Sequence, residues 1–444
     1  MLFGFVRAFR TPDLRKKLVF TLAVMAIFRI GAYIPAPGVN HAALSACLGG
    51  SSNSSALGLI NLFSGNALLQ LSVFALGIMP YITASIILQL LTVVIPRLDT
   101  LKKEGQAGQA KITQYTRYLT MGLAILQSTG LIATAQSNNG EFLFGQACST
   151  PVIYPSVGVI GQAVMVLTMV AGTAIIMWLG ELITDRGIGN GMSLLMFTSI
   201  AASFPGSLWS IKESSSLGGG WIVFIGVILI GFVLVGAVVF IEQGQRRIPV
   251  QYAKKMVARR MYGGSSTYIP MKVNQSGVIP IIFASSLLQL PVLVAQFADP
   301  SGTHGWSTWI RNQLGLTSNG YSMYYSAAYF ALILFFAFFY VAITFNPDEV
   351  ADNMKKYGGF IPGIRAGKPT ADHLHFILNR ITWPGSLYLA VIAIIPMVAL
   401  AEFHTGSKFP FGGTSILIIV GVGLETVKQI ESQLQQHNYE GFLR

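Results

Sequence analysis

Ten apolar stretches, each close to the length a helix needs to cross a bilayer, occupy most of this 444-residue chain: residues 18–36, 70–95, 116–135, 154–180, 189–205, 221–242, 276–297, 323–345, 381–401 and 411–430. Spanning the hydrocarbon core takes about 20 apolar residues in a helix. The runs are long and lack the alternation of barrel strands, and in lipid every backbone polar group must find its partner inside the chain. With 52% hydrophobic and only 10% charged residues, the chain carries more apolar surface than a water-soluble fold of this size hides. The expected fold class is an all-α integral membrane protein with ten transmembrane helices.

Basic residues set the orientation. With the N-terminus in the cytosol, 25 of the 29 Lys and Arg fall on the cytosolic side, three (Lys212, Arg311, Lys408) fall outside, and Arg29 falls within a span. The positive-inside rule then places both termini in the cytosol. The largest cytosolic loops are residues 243–275 and 346–380, and the net charge of +12 suits anionic lipid headgroups or an acidic partner. The first apolar run is as long as a span and no small-residue cleavage site follows it, so it reads as a retained helix. Cys47 and Cys148 fall in loops on the outer side, where they are either a disulfide or two unpaired thiols.

Ten spans divide into halves, residues 1–216 and 217–444, joined near a Ser/Gly-rich stretch at 214–220. Five crossings per half make the second half begin on the side opposite the first, so repeats, if present, are inverted. Ahead of the second span, residues 57–69 are apolar but too short to cross, and Ser64-Gly65-Asn66 marks a break. The segment is either a half-helix entering from outside above a cavity or an amphipathic helix on the outer leaflet.

Motifs for chemistry are absent. His41, His304 and His404 fall in outer loops, His373 and His375 in a cytosolic loop and His437 in the tail, so no His stands at mid-membrane as base or ligand. Gly105-Gln-Ala-Gly-Gln-Ala-Lys111 lacks phosphate-loop spacing, and Gly187-Ile-Gly-Asn-Gly191 reads as a tight turn into a short span. No catalytic residue, metal site or cofactor is expected. Arg29 is the intramembrane charge, either functional by default or reaching headgroups or a loop carbonyl. Glu181, Glu402 and Glu425 fall at span ends, where solvent contact is expected. A secondary transporter would keep a carboxylate at the midplane and an intramembrane hydrolase a Ser-His or Asp pair; the sequence offers neither.

The chain resembles the SecY family of bacterial protein-translocase channel subunits. The resemblance rests on Leu76-Gly-Ile-Met-Pro-Tyr81, Lys111-Ile-Thr-Gln-Tyr-Thr-Arg-Tyr118, Met177-Trp-Leu-Gly-Glu181, Asp185-Arg-Gly-Ile-Gly-Asn-Gly191, Gly244-Gln-Arg-Arg-Ile248, Gly277-Val-Ile-Pro280, Ala351-Asp-Asn-Met-Lys-Lys356, Pro362-Gly-Ile-Arg365 and Phe411-Gly-Gly-Thr-Ser415, in the family's order. It implies two inverted five-helix halves around a pore in the cytoplasmic membrane. Unfolded secretory polypeptides would pass through that pore, and apolar segments would leave it sideways into lipid.

The resemblance also assigns residues. A ring of Ile78, Ile82, Met192, Met196, Ile282 and Ile418 would seal the waist, although i,i+4 pairs such as 78/82 and 192/196 occur in any apolar helix. Leu59, Ile60, Asn61, Leu62, Phe63 and Ser64 would form a plug, with Ser64-Gly65-Asn66 where the family commonly reads Ser-Gly-Gly. Thr83, Gln127 and Asn274 would line a lateral gate, or be satisfied within their own helix neighbourhoods. Arg246, Arg247 and Arg365 would contact a soluble partner, or be solvated positive-inside charges. Implied partners are small SecE-like and SecG-like membrane subunits, a SecA-type motor ATPase, the ribosome, signal peptides, nascent polypeptides and membrane lipid.

Overall fold

The computed structural model describes residues 9, 11–44, 64–65, 67–136, 151–154, 158–214, 220–252, 255–257, 260–262, 266–298, 305–314, 316–317, 320–403 and 413–442. The helices are α1 (Pro12–Gly31), α2 (Met79–Val94), α3 (Pro96–Lys103), α4 (Gln106–Gln136), α5 (Val159–Arg186), α6 (Gly191–Ser214), α7 (Gly220–Gln243), α8 (Ile279–Ala298), α9 (Gly305–Leu314), α10 (Met323–Thr344), α11 (Pro347–Lys356), α12 (Lys368–Phe403) and α13 (Gly413–Phe442). Each of the ten apolar stretches holds one of them, leaving α3, α9 and α11 as connectors. Among the described residues, Val159–Arg186, Phe224–Gln243, Met323–Lys356 and Lys368–Ile395 are long and apolar enough to cross a membrane by length and composition. A fifth span results if α2 and α3 are one broken element.

That break has a local cause. Pro96 has no N–H to continue the helix, and the residue before a proline is pushed out of the helical region; Ile95 is extended at φ −101°, ψ 109°, and the axes bend by 101°. Upstream, the structure departs from an unbroken span over 70–95. Residues 67–78 run as buried turns, and the helix begins only at Met79 with Pro80 in its first turn. The backbone of this stretch is paired with the segment after α1: Val73 donates to the Ile34 carbonyl at 2.9 Å, and Ala36 donates to that of Leu71 at 3.0 Å. Non-helical backbone is thereby satisfied inside the protein, the condition for tolerating it at membrane depth.

The basic segment after α7 is folded. β1 (Gln245–Tyr252) and β4 (Ser266–Lys272) form an antiparallel hairpin with β2 (Lys255–Val257) and β3 (Arg260–Tyr262) between them. β5 (Leu316–Thr317) and β6 (Gly320–Tyr321) pair after α9. β7 (Gly359–Phe360), from the loop between α11 and α12, adds to β1 through Gln251 opposite Phe360 and Tyr252 opposite Gly359. Ile248, Val250 and Met271 of the hairpin pack with Met354, Ile361, Leu374, Ile377 and Leu378, so both large loops form one unit seated on the end of α12.

Apolar packing falls into a few clusters. One joins α7, α8, α10, α12 and α13 around Phe283, Tyr329, Phe336, Leu389 and Leu417; a second ties α4 and α5 to the irregular segments at 36–44 and 68–75; a third lies between them. In contrast, only 12% of the apolar window of α7 is buried, with Ile225, Leu229, Phe232, Val233 and Phe240 exposed. A helix that apolar with so little internal burial has lipid as its solvent.

Candidate pore, seam and cytosolic face

The central cluster is built from six helices. Ile78, Met192, Met196, Ile282 and Ile418 are all buried in it, and the partly buried Ile82 packs against it. These six side chains come from positions up to 340 residues apart by their numbering and from α2, α6, α8 and α13. Ile78 caps α2, and Ile82, one turn on, donates its N–H to the Ile78 carbonyl at 3.1 Å. Met192 and Met196 likewise stand one turn apart at the start of α6.

The turn from α5 into α6 fixes where the methionines stand. Gly187 donates to the Ile183 carbonyl at 2.7 Å, Gly189 takes φ 88°, and the Thr184 hydroxyl accepts from Gly191 N–H at 2.9 Å. Asn190 caps the new helix, its Oδ1 accepting from Met192 N–H at 3.1 Å. The two backbones meet so closely that a Cβ on Gly191 would lie 1.9 Å from the Gly180 carbonyl oxygen, and one on Gly180 would lie 2.5 Å from Met192 Sδ. Gly191 is therefore required by backbone packing between α5 and α6, in the turn that the spacing Gly187-Ile-Gly-Asn-Gly191 anticipates.

Arg29, the charge within a span, donates from Nη1 to the Gly65 carbonyl at 2.6 Å and from Nη2 to the Tyr33 hydroxyl at 2.9 Å. It thus serves a loop carbonyl, one of the two alternatives open from sequence. Ser64, whose Oγ accepts from Leu68 N–H at 3.0 Å, is buried beside it. Leu59, Ile60, Asn61, Leu62, Phe63 and Asn66, like Cys47 and Cys148, lie outside the described residues.

The three seam candidates differ in their surroundings. α8 packs against both α2, which carries Thr83, and α4, which carries Gln127. Thr83 is buried and spends its hydroxyl on the Met79 carbonyl at 2.9 Å. Asn274, 3% exposed, donates to a carboxylate oxygen of Glu242 and to the Gly277 carbonyl, while its own Oδ1 accepts from Ser276 Oγ. Gln127 is half-buried on α4. Thr83 is thus satisfied within its own helix, and Asn274 by its own turn together with Glu242 of α7.

The structure also shows two contacts the sequence reading did not anticipate. Glu181 is not simply solvated at a span end: Arg117 of α4 grips both of its oxygens, at 2.9 and 2.8 Å, tying α4 to α5 beside Tyr81. Glu242 is the other. Its only sequence signal is a carboxylate closing the most apolar run, two residues before Gly244-Gln-Arg-Arg.

On the unit formed by the two large loops, Arg246 and Arg247 are exposed on β1, and Arg365 is exposed in the turn before α12. Among the described residues, neither Arg246, Arg247 nor Arg365 is in an ion pair. The β1–β7 pairing brings the two loops carrying them into one sheet. No group of three or more His, Cys, Asp or Glu able to hold a metal ion occurs among the described residues.

Comparison with known proteins gives this geometry a family. The sequence model of the SecY family matches residues 72–427. The chain is 66% identical over 445 aligned residues to the protein translocase subunit SecY of Streptomyces scabiei and 56% identical over 450 to that of Mycobacterium bovis, with both chains of each pair covered in full. Among solved structures, a protein-conducting channel superposes with a TM-score of 0.63 at 17% identity, covering 94% of this chain and 91% of that one. Sec61 in a canine ribosome-channel complex does so with a TM-score of 0.59 at 16% identity, with the same coverages. The fold is therefore shared with these channels and, on the family match and the full-length relatives, the chain belongs to the SecY family of protein translocase subunits.

Proposed function

We propose that this chain is the passive conduit of a protein translocase in the cytoplasmic membrane, with Ile78, Ile82, Met192, Met196, Ile282 and Ile418 as the seal at its waist. The observation that carries this reading is the convergence of those six side chains, from four helices of both halves, in one buried cluster. A narrow apolar waist excludes ions because water inside it gives up hydrogen bonds without replacement. Unbranched Met at two positions lets the ring deform around a passing chain. In this reading ten spans form two inverted halves, residues 1–216 and 217–444, with both termini cytosolic.

Residues 57–69 act as a plug on the outer side of the waist. An apolar signal segment enters at the seam of α2 and α4 with α8 and α10, near Thr83, Gln127 and Asn274, and partitions into lipid while hydrophilic chain continues through the ring. Arg246, Arg247 and Arg365 offer cationic contacts to a SecA-type motor or a ribosome, which supplies the push, and SecE-like and SecG-like subunits complete the channel. The test is a single cysteine at Ile282 and a translocating secretory chain stalled with a cysteine partway along its length. A disulfide adduct that forms only when the chain is stalled supports the conduit; a stalled chain that crosslinks to lipid-facing Phe232→Cys and never to position 282 refutes it.

A further inference from the structure

The base of the basic hairpin and the start of α8 are held by one side-chain knot. Val273 N–H donates to the Gly244 carbonyl at 3.0 Å, closing the hairpin where α7 ends. The next residue, Asn274, uses both kinds of polar group on its amide. The amide nitrogen donates to Glu242, in the last turn of α7, and to the Gly277 carbonyl at 3.1 Å; Oδ1 accepts from Ser276 at 3.1 Å. Gly277 takes φ 62°, and α8 starts two residues later. From beneath, Gly385 of α12 abuts the Val273 carbonyl so closely that a Cβ there would lie 2.3 Å from its oxygen. The direction in which α8 leaves the hairpin is thus set by the turn that Asn274 organises.

We propose that Glu242 is a positioning residue for the lateral seam: by holding Asn274 it fixes the start of α8 and sets how strong a signal segment must be to part α8 from α2 and α4. This rests on the conduit reading above. The carboxylate is the one acceptor in the knot that comes from α7, so it is the tie between α7 and α8. A hydrogen bond from an amide to a carboxylate is among the stronger kinds. Removing the acceptor leaves a buried N–H without its partner. Tyr388 of α12 adds to the enclosure: its hydroxyl is buried with no hydrogen-bond partner among the described residues and lies within electrostatic reach of Glu242. With Asn274 released, the turn loses its anchor and α8 moves at lower cost.

The test uses the full chain with its translocase partners in membrane vesicles and two secretory reporters. One has an intact signal and the other a charge placed in the apolar core of its signal. Glu242→Leu is expected to raise protected, translocated product of the weakened-signal reporter by roughly tenfold, the scale of one hydrogen bond to a charged group, with the intact reporter little changed. Glu242→Gln keeps a carbonyl acceptor and is expected to behave as the parent. Equal loss of both reporters in the Leu variant, or a Gln variant as permissive as Leu, overturns the proposal. Should the Leu variant fail to accumulate, Asn274→Asp sets two carboxylates face to face and is expected to be permissive. Adding Glu242→Gln restores a donor opposite the new carboxylate and should return selectivity toward the parent; no such return also overturns it. Failure of the parent chain to translocate the intact reporter would instead refute the conduit reading.

Discussion

At the scale of single residues, position is decided by contacts too close for any substitute. The turn between α5 and α6 works because Gly191 lies against the Gly180 carbonyl, where a Cβ would sit 1.9 Å from the oxygen. Backbone cannot retreat from that overlap as a side chain can, so Gly191→Ala is expected to cost more than about 3 kcal/mol, the range of severe core overpacking, and to displace Met192. Gly122, on the exposed face of α4 with nothing within 4 Å of its would-be Cβ, is the control. Its change to Ala should be neutral or stabilise by up to about 1 kcal/mol. Thermal unfolding of the purified protein in detergent, followed by the monodisperse fraction, measures both. A Gly191→Ala protein as stable as the parent would mean that the two helices separate more easily than their packing implies. The sequence showed Gly187-Ile-Gly-Asn-Gly191 as a turn, because glycine spacing is a local signal. It did not show the Arg117–Glu181 or Glu242–Asn274 pairs, whose members are 64 and 32 residues apart and meet only through the packing of α4 on α5 and the closing of the β1–β4 hairpin.

At the scale of elements, apolar length was legible and irregular backbone was not. The ten stretches read from hydropathy each hold a helix, because the period and composition of a lipid-exposed helix persist over its whole length. Residues 67–78 are equally apolar yet run as turns, since their backbone finds partners at 34–36, a pairing with no trace in a hydropathy plot. The basic segment shows the same limit. Its charge marked a surface, but its fold depends on β7 from a loop about 110 residues further on, which pairs with β1. That joining has a consequence for function. Because Arg247 and Arg365 belong to one sheet-and-helix unit, reversing both to Glu should weaken engagement of a motor or ribosome by more than either alone, while membrane insertion and stability stay near parental, as both side chains are exposed. Stimulated motor ATPase activity and ribosome co-sedimentation, at matched protein levels, are the measurements. Unchanged engagement by the double reversal would leave these arginines as determinants of orientation alone.

At the scale of the whole molecule, side chains from six helices meet in one apolar cluster, and the proposed seal rests on the physics of that cluster. In water an apolar cluster is held together by burial; within a bilayer that force is missing between helices, and close packing takes its place. The six side chains therefore need not be the most strongly stabilised part of the structure, which suits the proposed role of a waist that opens. Their shared property is that none offers a hydrogen bond. Replacing Ile82 and Ile282 together by Asn puts two amides into the cluster, one from α2 and one from α8. Each unpaired buried amide costs about 1–3 kcal/mol, a cost relieved by admitting water, which then lowers the barrier to ions. The expected outcome is a resting channel that conducts in a planar bilayer where the parent does not, with translocation of an intact-signal substrate retained, since in the proposed function the push comes from a separate motor or ribosome. Ile333→Asn, a buried position in the separate cluster around α10, is the comparison. It adds the same chemistry away from the waist and should lower stability without producing current. Conductance in the second variant and none in the first would place the aqueous path elsewhere, and the six side chains would then be ordinary helix packing.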